Sequence, residues 1–318
     1  MQAVILAAGR GTRLYPITAT RTKAMCPVAG KPIVERVMDT LVGNGISDFV
    51  LVISPDDSDI TEYFSLKSTI DANIQFVQQT QQLGMGHALL QAAPYINDDF
   101  ILSSCDNLVE ENSISQMLQM WAGVPSPNGI LALLRVGPDE IVRMGVVEID
   151  NNQKIIRIIE KPTLEEAPSD IGSVPIYLFS HKLVEYLAKI QPSSRGEYEL
   201  QDAVQDLIKK DGNVYGLMLP DRIDLTHPSD LLRLNLHFLK KEPTKKELQL
   251  TDIGRETKFT SPVIVDQDVS IGSNCQIGPN VYIESGATIQ DYVKMGNCVV
   301  LRDSLVQSGL NIRDKIIW

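Results

Sequence analysis

Residues 6–32, LAAGRGTRLYPITATRTKAMCPVAGKP, carry the densest chemistry in the chain. Ala8, Gly9, Gly11 and Thr12 directly follow an apolar run, and small residues there let the backbone fold closely around a phosphate and offer it amide groups. Arg10, Arg13, Arg21, Lys23 and Lys31 stand among the first 31 residues without one acid, whereas the 318-residue chain has a formal charge of −11. A cationic island in an acidic protein suits a small polyphosphate ligand. A Gly-x-Gly alone specifies little. The dinucleotide-binding alternative wants a further glycine at position 14, where Leu14 stands, and gives Arg13 and Lys23 no task. Asp106 closes a second apolar run, FILSSC, which predicts a carboxylate at the carboxyl end of a buried strand, within reach of a ligand. His87, His181, His227 and His237 share no metal spacing and are read as structural.

These residues need elements to position them. AVILAA, FVLVIS, IQFVQQ, FILSSC and ILALLR read as strands, with VERVMDTLVGNG and GHALLQAAP as helices between them. In the first helix Val34, Val37, Met38 and Leu41 fall at helical spacing, and Gly43 supplies a C-cap. Such alternation predicts an α/β fold with a Rossmann-like, mostly parallel sheet covered on both faces and ligands at the carboxyl ends of its strands. A helix starting near Pro228 and Ser229 closes a first domain over residues 1–240, and the polar stretch 241–255 reads as a linker. Over 256–318 the pattern changes to a period of six. Val265, Ile271, Ile277, Ile283, Ile289, Met295 and Leu301 form one series; Val263, Val269, Cys275, Val281, Ala287, Val293 and Val299 run two residues earlier. Paired series of this kind describe a short left-handed parallel β-helix, three strands to a coil, with both series inside. Its apolar end, Ile316, Ile317 and Trp318, is expected to be covered by another subunit or by the first domain.

Composition excludes several classes. With 43% apolar, 22% charged and 6% aromatic residues the chain is ordinary globular material, and no apolar run approaches the roughly 18 residues of a membrane span. The acidic balance argues against nucleic-acid partners. MQAVILAAGRG lacks the basic start and cleavage site of a signal peptide and reads as a buried first strand. Cys26, Cys105, Cys275 and Cys298 form no CxxC pair, which suits reduced core thiols in a cytoplasmic protein.

The segment over residues 6–32 resembles the signature of the sugar-nucleotide pyrophosphorylase family, the sugar-1-phosphate nucleotidyltransferases. Its usual form is LAAGxGTRLxPLT followed by PK and PVxxKP; Thr22 stands here in place of the proline. The resemblance continues through VQQTQQLGMGHAL (77–89), SSCDN (103–107), MGVVEID (144–150), IEKP (159–162), RGEYELQDAV (195–204) and RIDLTHPSDLLRLN (222–235). The chain is similar in particular to glucose-1-phosphate thymidylyl- and uridylyltransferases with a C-terminal left-handed β-helix. The resemblance implies in-line attack of a sugar 1-phosphate on the α-phosphorus of a nucleoside triphosphate, UTP or dTTP favoured, with pyrophosphate leaving, a reaction of positioning and charge neutralisation. It assigns Arg13, Lys23 and Asp106 to catalysis. Leu6, Ala7, Ala8, Gly9, Gly11, Thr12, Arg13, Gln79 and Gly84 go to the nucleotide, with Gln79 at the edge of the base. Gly145, Glu160, Lys161, Ser173 and Tyr177 go to the sugar phosphate, and Asp106 with Asp224 to Mg2+, for which two carboxylates suffice. Glu197 falls near the sugar pocket or in a loop ion pair.

Departures from the pattern gather around sugar and base. Met85 replaces a threonine, Ser173 an asparagine that meets the sugar, and Pro175 a glycine, while Thr226 replaces the glycine near Asp224. The sugar therefore stays open. A regulatory relative that binds without turnover is the alternative reading. Acyl transfer by the β-helix is disfavoured because such sites use a histidine base and none follows His237. Hexad helices often associate, so a homo-oligomer is expected.

Overall fold

In the computed structural model residues 1–241 and 252–318 are described; most of the linker expected over 241–255 lies outside the described residues. They form two compact units: Met1–Gly9 with Val37–Ile223, and Arg10–Arg36 with Asp224–Trp318. The division is not sequential, because residues 10–36 group with the β-helix.

The first unit is built on a nine-stranded sheet. Its strands are β1 (Gln2–Leu6), β2 (Asp48–Ile53), β3 (Asn73–Gln78), β4 (Phe100–Ser104), β5 (Gly129–Arg135), β6 (Gly145–Ile149), β7 (Ile155–Glu160), β8 (Ile171–Phe179) and β9 (Val214–Met218). The order is β7-β6-β8-β4-β1-β2-β3, with β5 joining β8 to β9. All five strands read from the sequence are present. Parallel pairing joins β1 to β2 and β4, β2 to β3 and β5 to β9, whereas β8 runs antiparallel to β4, β5 and β6. The Rossmann-like sheet is thus mixed. From Ala3 to Leu6 central β1 is an uninterrupted apolar run because both of its faces are buried.

Helix α1 (Ile33–Val42) buries Val34, Val37, Met38 and Leu41. Gly43 is the first residue beyond it, but the left-handed turn falls at Gly45, φ 82. Helices α2 (Met85–Ala92) and α3 (Leu200–Lys210) bring Leu89, Ala92, Leu200, Ala203, Val204 and Leu207 into the same core as the sheet residues.

The second unit holds helix α4 (Pro228–Lys241) and the β-helix, whose short strands all pair in parallel. Inside lie Val263, Val269, Ile271, Cys275, Ile277, Val281, Ile283, Ala287, Ile289, Val293 and Met295, as the two hexad series predict. Beyond Met295 the prediction needs correcting. Val263 pairs with Val281, 18 residues on, but Val281 pairs with Cys298 and Cys298 with Lys315, each 17 on. The coil is one residue shorter there, and a slip of one exchanges the two faces of a strand. Cys298, Val300 and Val306 therefore fill the interior, and Val299 and Leu301, though buried, do not.

Asn235 on α4 is fully buried, donating to the carbonyls of Pro27 (3.0 Å) and Leu231 (2.8 Å) and accepting from Ala29 N–H (2.7 Å). Arg36 donates to the carbonyls of Val28 and Ala29. Both fasten the stretch that follows the glycine-rich loop.

Candidate active site

In the second unit the loop turns at Gly11, φ 64, a left-handed conformation that side chains rarely adopt. Space forbids one as well: a Cβ there would lie 2.9 Å from Lys23 Cβ and 3.2 Å from Thr18 Cγ2. The Lys23 stem thus packs directly on Gly11, and Thr18 Oγ1 donates to the Gly11 carbonyl at 3.0 Å. Thr12, Arg13 and Arg10 are exposed beside them. Cys26 is buried, which pushes its thiol up to about 12 and leaves it an unreactive core group. Asp224 accepts from Thr226 Oγ1 at 2.9 Å, and Arg233 Nη2 lies 3.9 Å from its other oxygen. The residue that departs from the family pattern here occupies one carboxylate oxygen.

In the first unit Leu6, Ala7 and Ala8 leave the carboxyl end of β1, with Ala7 N–H on the Val52 carbonyl and the Ala8 carbonyl accepting from Gln82 Nε2, both at 2.7 Å. Gly9 is exposed. Gln79 follows β3 and is only 4% exposed. Its Nε2 reaches the Gly84 carbonyl at 3.2 Å and His87 Nδ1 at 3.0 Å. The amide thus donates to the Gly84 carbonyl, and in the His87 tautomer that accepts at Nδ1 its second hydrogen is engaged as well, with Oε1 as the acceptor. Asp106 lies two residues beyond β4, at the predicted carboxyl end, 7% exposed, with Asn107 Nδ2 3.4 Å from its Oδ1.

The sugar-phosphate candidates converge more tightly. Gly145 opens β6, Glu160 closes β7, and the two are register partners. A Cβ on Gly145 would lie 2.7 Å from Ser173 Oγ, 3.1 Å from Gln201 Cγ and 3.2 Å from Glu160 Oε2. Tyr177 is 1% exposed and donates to Ser173 Oγ at 3.2 Å, so it holds that serine from behind. Burial keeps its phenol neutral. Pro175 falls where β8 slips register against β5, between Val174 and Tyr177, and a bulge tolerates a residue without an N–H. Lys161 Nζ stands 3.4 Å from Glu160 and 3.7 Å from Glu197, so Glu197 is both near this pocket and in an ion pair. Burial pushes the Glu160 carboxyl up to about 7 against the opposing pull of Lys161. Among the described residues its Oε2 has no hydrogen-bond partner. Glu160 also walls an open depression of about 680 Å³ together with Ile158, Arg195, Glu199 and Asp202.

The second unit offers a cationic loop of close-packed backbone, and the first offers an amide at Gln79 and a buried carboxylate beside Ser173. Among the described residues no cluster of three or more His, Cys, Asp or Glu could hold a metal. Asp106 and Asp224 are hard oxygen donors of the kind Mg2+ takes singly or in pairs while keeping its waters.

Fold and loop together define a nucleotide-handling α/β enzyme class, and comparison with known proteins gives the family. Residues 2–241 match the nucleotidyl transferase family, and residues 259–318 match the GMPPB C-terminal domain. The chain belongs to the nucleotidyl transferase family. It is 37% identical over 291 residues to the bifunctional protein GlmU of Methanococcus maripaludis, covering 91% of this chain and 62% of that relative. It is 33% identical to the UTP–glucose-1-phosphate uridylyltransferase AglF of Haloferax volcanii, covering 72% and 93%. The UTP-bound UGPase from Acinetobacter baumannii shares the fold, with a TM-score of 0.67 and 24% identity over 76% of this chain and 94% of that one. The chain thus spans about three-fifths of the GlmU relative's length.

Three contributors escaped the sequence reading. His87, expected to be structural, meets the Gln79 amide; Gln82 holds the Ala8 carbonyl; Gln201 packs behind Gly145. No spacing marks them: Gln82 and Gln201 act on neighbours far along the chain, and His87 meets Gln79 only because the turn between them brings the two together.

Proposed function

We propose that this protein transfers a nucleotidyl group from a nucleoside triphosphate, UTP or dTTP by preference, to a glucose-1-phosphate-like sugar 1-phosphate and releases pyrophosphate. The observation that carries the reading is the buried Glu160 Oε2, an acceptor without a donor, facing Gly145 and Ser173. A buried carboxylate oxygen in that state calls for hydroxyl donors, which a sugar supplies. Lys161, beside it, is the cation for the sugar phosphate. Gln79 Oε1 accepts from a base that presents an N–H, as uracil and thymine do at N3. Arg13 and Lys23 neutralise charge on the reacting phosphates, Arg13 on the departing pyrophosphate. Asp106 and Asp224 would hold Mg2+, which supplies charge neutralisation to the phosphates when bound. The four free cysteines, all buried, fit a cytoplasmic protein. Trp318, 60% exposed at the edge of the β-helix, supports a homo-oligomer formed through that element, which light scattering tests.

Pyrophosphate release with Mg2+, screened over UTP, dTTP, ATP, GTP and CTP against several hexose 1-phosphates, tests the reading. Release on one pair that is lost in Asp106→Ala and on chelation supports it. Nucleotide binding without release on any pair sinks it in favour of a regulatory relative.

A further inference from the structure

The segment Thr20–Lys23 is held by side chains far along the chain. Arg21 Nη1 lies 2.5 Å from Glu284 Oε1, in an ion pair whose side chains are 3% and 13% exposed. Glu284 directly follows the β-helix strand Val281–Ile283, and its second oxygen accepts the Arg302 backbone N–H at 2.8 Å. The Arg302 guanidinium in turn donates to the Thr20 carbonyl. Two consecutive loop residues are thus gripped, one by its side chain and one by its backbone. All of these groups belong to the second unit. Lys23 opens its turn two residues later, with its stem against Gly11.

Between the grip and Lys23 stands Thr22, where the family signature has proline. Its φ of −75 and ψ of 163 are values a proline adopts. A proline ring would fix that φ covalently and narrow the residue before it, and a threonine does neither. The Thr22 hydroxyl does not compensate, because Oγ1 is buried without a hydrogen-bond partner. The restraint on the loop at this point comes instead from the neighbouring contacts at Thr20 and Arg21.

We infer that Arg21, Glu284 and Arg302 are positioning residues for Lys23, and that the β-helix serves the phosphate loop in place of the ring that Thr22 lacks. The kinetic arm of the test rests on the transferase reading; the exchange arm does not. In the full-length protein Glu284→Gln weakens the grip while keeping the shape of the side chain. Should it fail to fold, Arg302→Met removes the hold on the Thr20 carbonyl and leaves the Arg302 backbone N–H on Glu284. Either variant is expected to lower kcat/KM by roughly 10- to 100-fold, the scale of a displacement of about 1 Å in a reacting group. Amide hydrogen exchange over residues 18–26 should accelerate in parallel. Adding Thr22→Pro to the variant should restore both readouts in large part, whereas a merely structural loss would not respond to a proline that replaces neither partner of the broken contact. Unchanged exchange and turnover in both variants would overturn the proposal, as would Thr22→Pro restoring neither. If the parent protein shows no turnover, the transferase reading falls and exchange alone decides whether the grip holds this loop.

Discussion

Glu160→Gln separates the cost of burying this carboxylate from its use. Burial raises Glu160 from 4.5 to about 7, and at roughly 1.4 kcal/mol per unit keeping it ionised costs the folded state about 3 kcal/mol above pH 7. Between the two values the folded chain binds more protons than the unfolded chain. Stability contributed by this group is therefore full below pH 4.5, falls as the pH rises through the window, and is flat above 7. Glutamine keeps the shape and has no charge to bury. In urea denaturation the variant should match its parent near pH 4.5 and exceed it by up to about 3 kcal/mol at pH 8. Sugar hydroxyls donate to the ionised form, so the parent's KM for sugar 1-phosphate should rise as pH falls below 7, and that dependence should vanish in the variant. Equal stability differences at pH 4.5 and pH 8 would refute the burial argument.

Gly145→Ala places a Cβ 2.7 Å from Ser173 Oγ; it should raise KM for the sugar phosphate by about 10-fold or more, a loss of at least ~1.4 kcal/mol, with nucleotide affinity unchanged by calorimetry. Asn235→Ala strips three hydrogen bonds from a fully buried site and should destabilise the protein by about 3 kcal/mol or more in chemical denaturation, since each orphaned backbone group costs about 1–3 kcal/mol.

The strands and helices were legible because burial imposes periodicity. β1 and β4 read as apolar runs, the first helix as Val34, Val37, Met38 and Leu41, and the β-helix as hexads. Legibility stopped where geometry depends on a count the pattern does not reveal. One short coil moved Cys298 and Val300 inside in place of Val299 and Leu301, and nothing in their composition distinguishes the two pairs. The site divides in the same way. Motif residues such as Asp106 and Glu160 could be named, and Asp106 lies at the strand end where it was placed. Their supports could not be named, because the partnerships of Gln79 with His87 and of Gly145 with Gln201 are properties of packing.

The hold on the phosphate loop also sets an order of manufacture. Arg21 leaves the ribosome 263 residues before Glu284, and Thr20 leaves 282 residues before Arg302. At the usual pace of synthesis, about 5–20 residues per second, the first piece of the loop waits tens of seconds for its last support. Throughout that interval a nascent chain has only the loop's local contacts, such as Thr18 on the Gly11 carbonyl and Arg36 on the Val28 and Ala29 carbonyls. The grip on Thr20 and Arg21 is therefore completed only once Glu284 and Arg302 have emerged, so those two contacts form late in synthesis however early the signature itself is made.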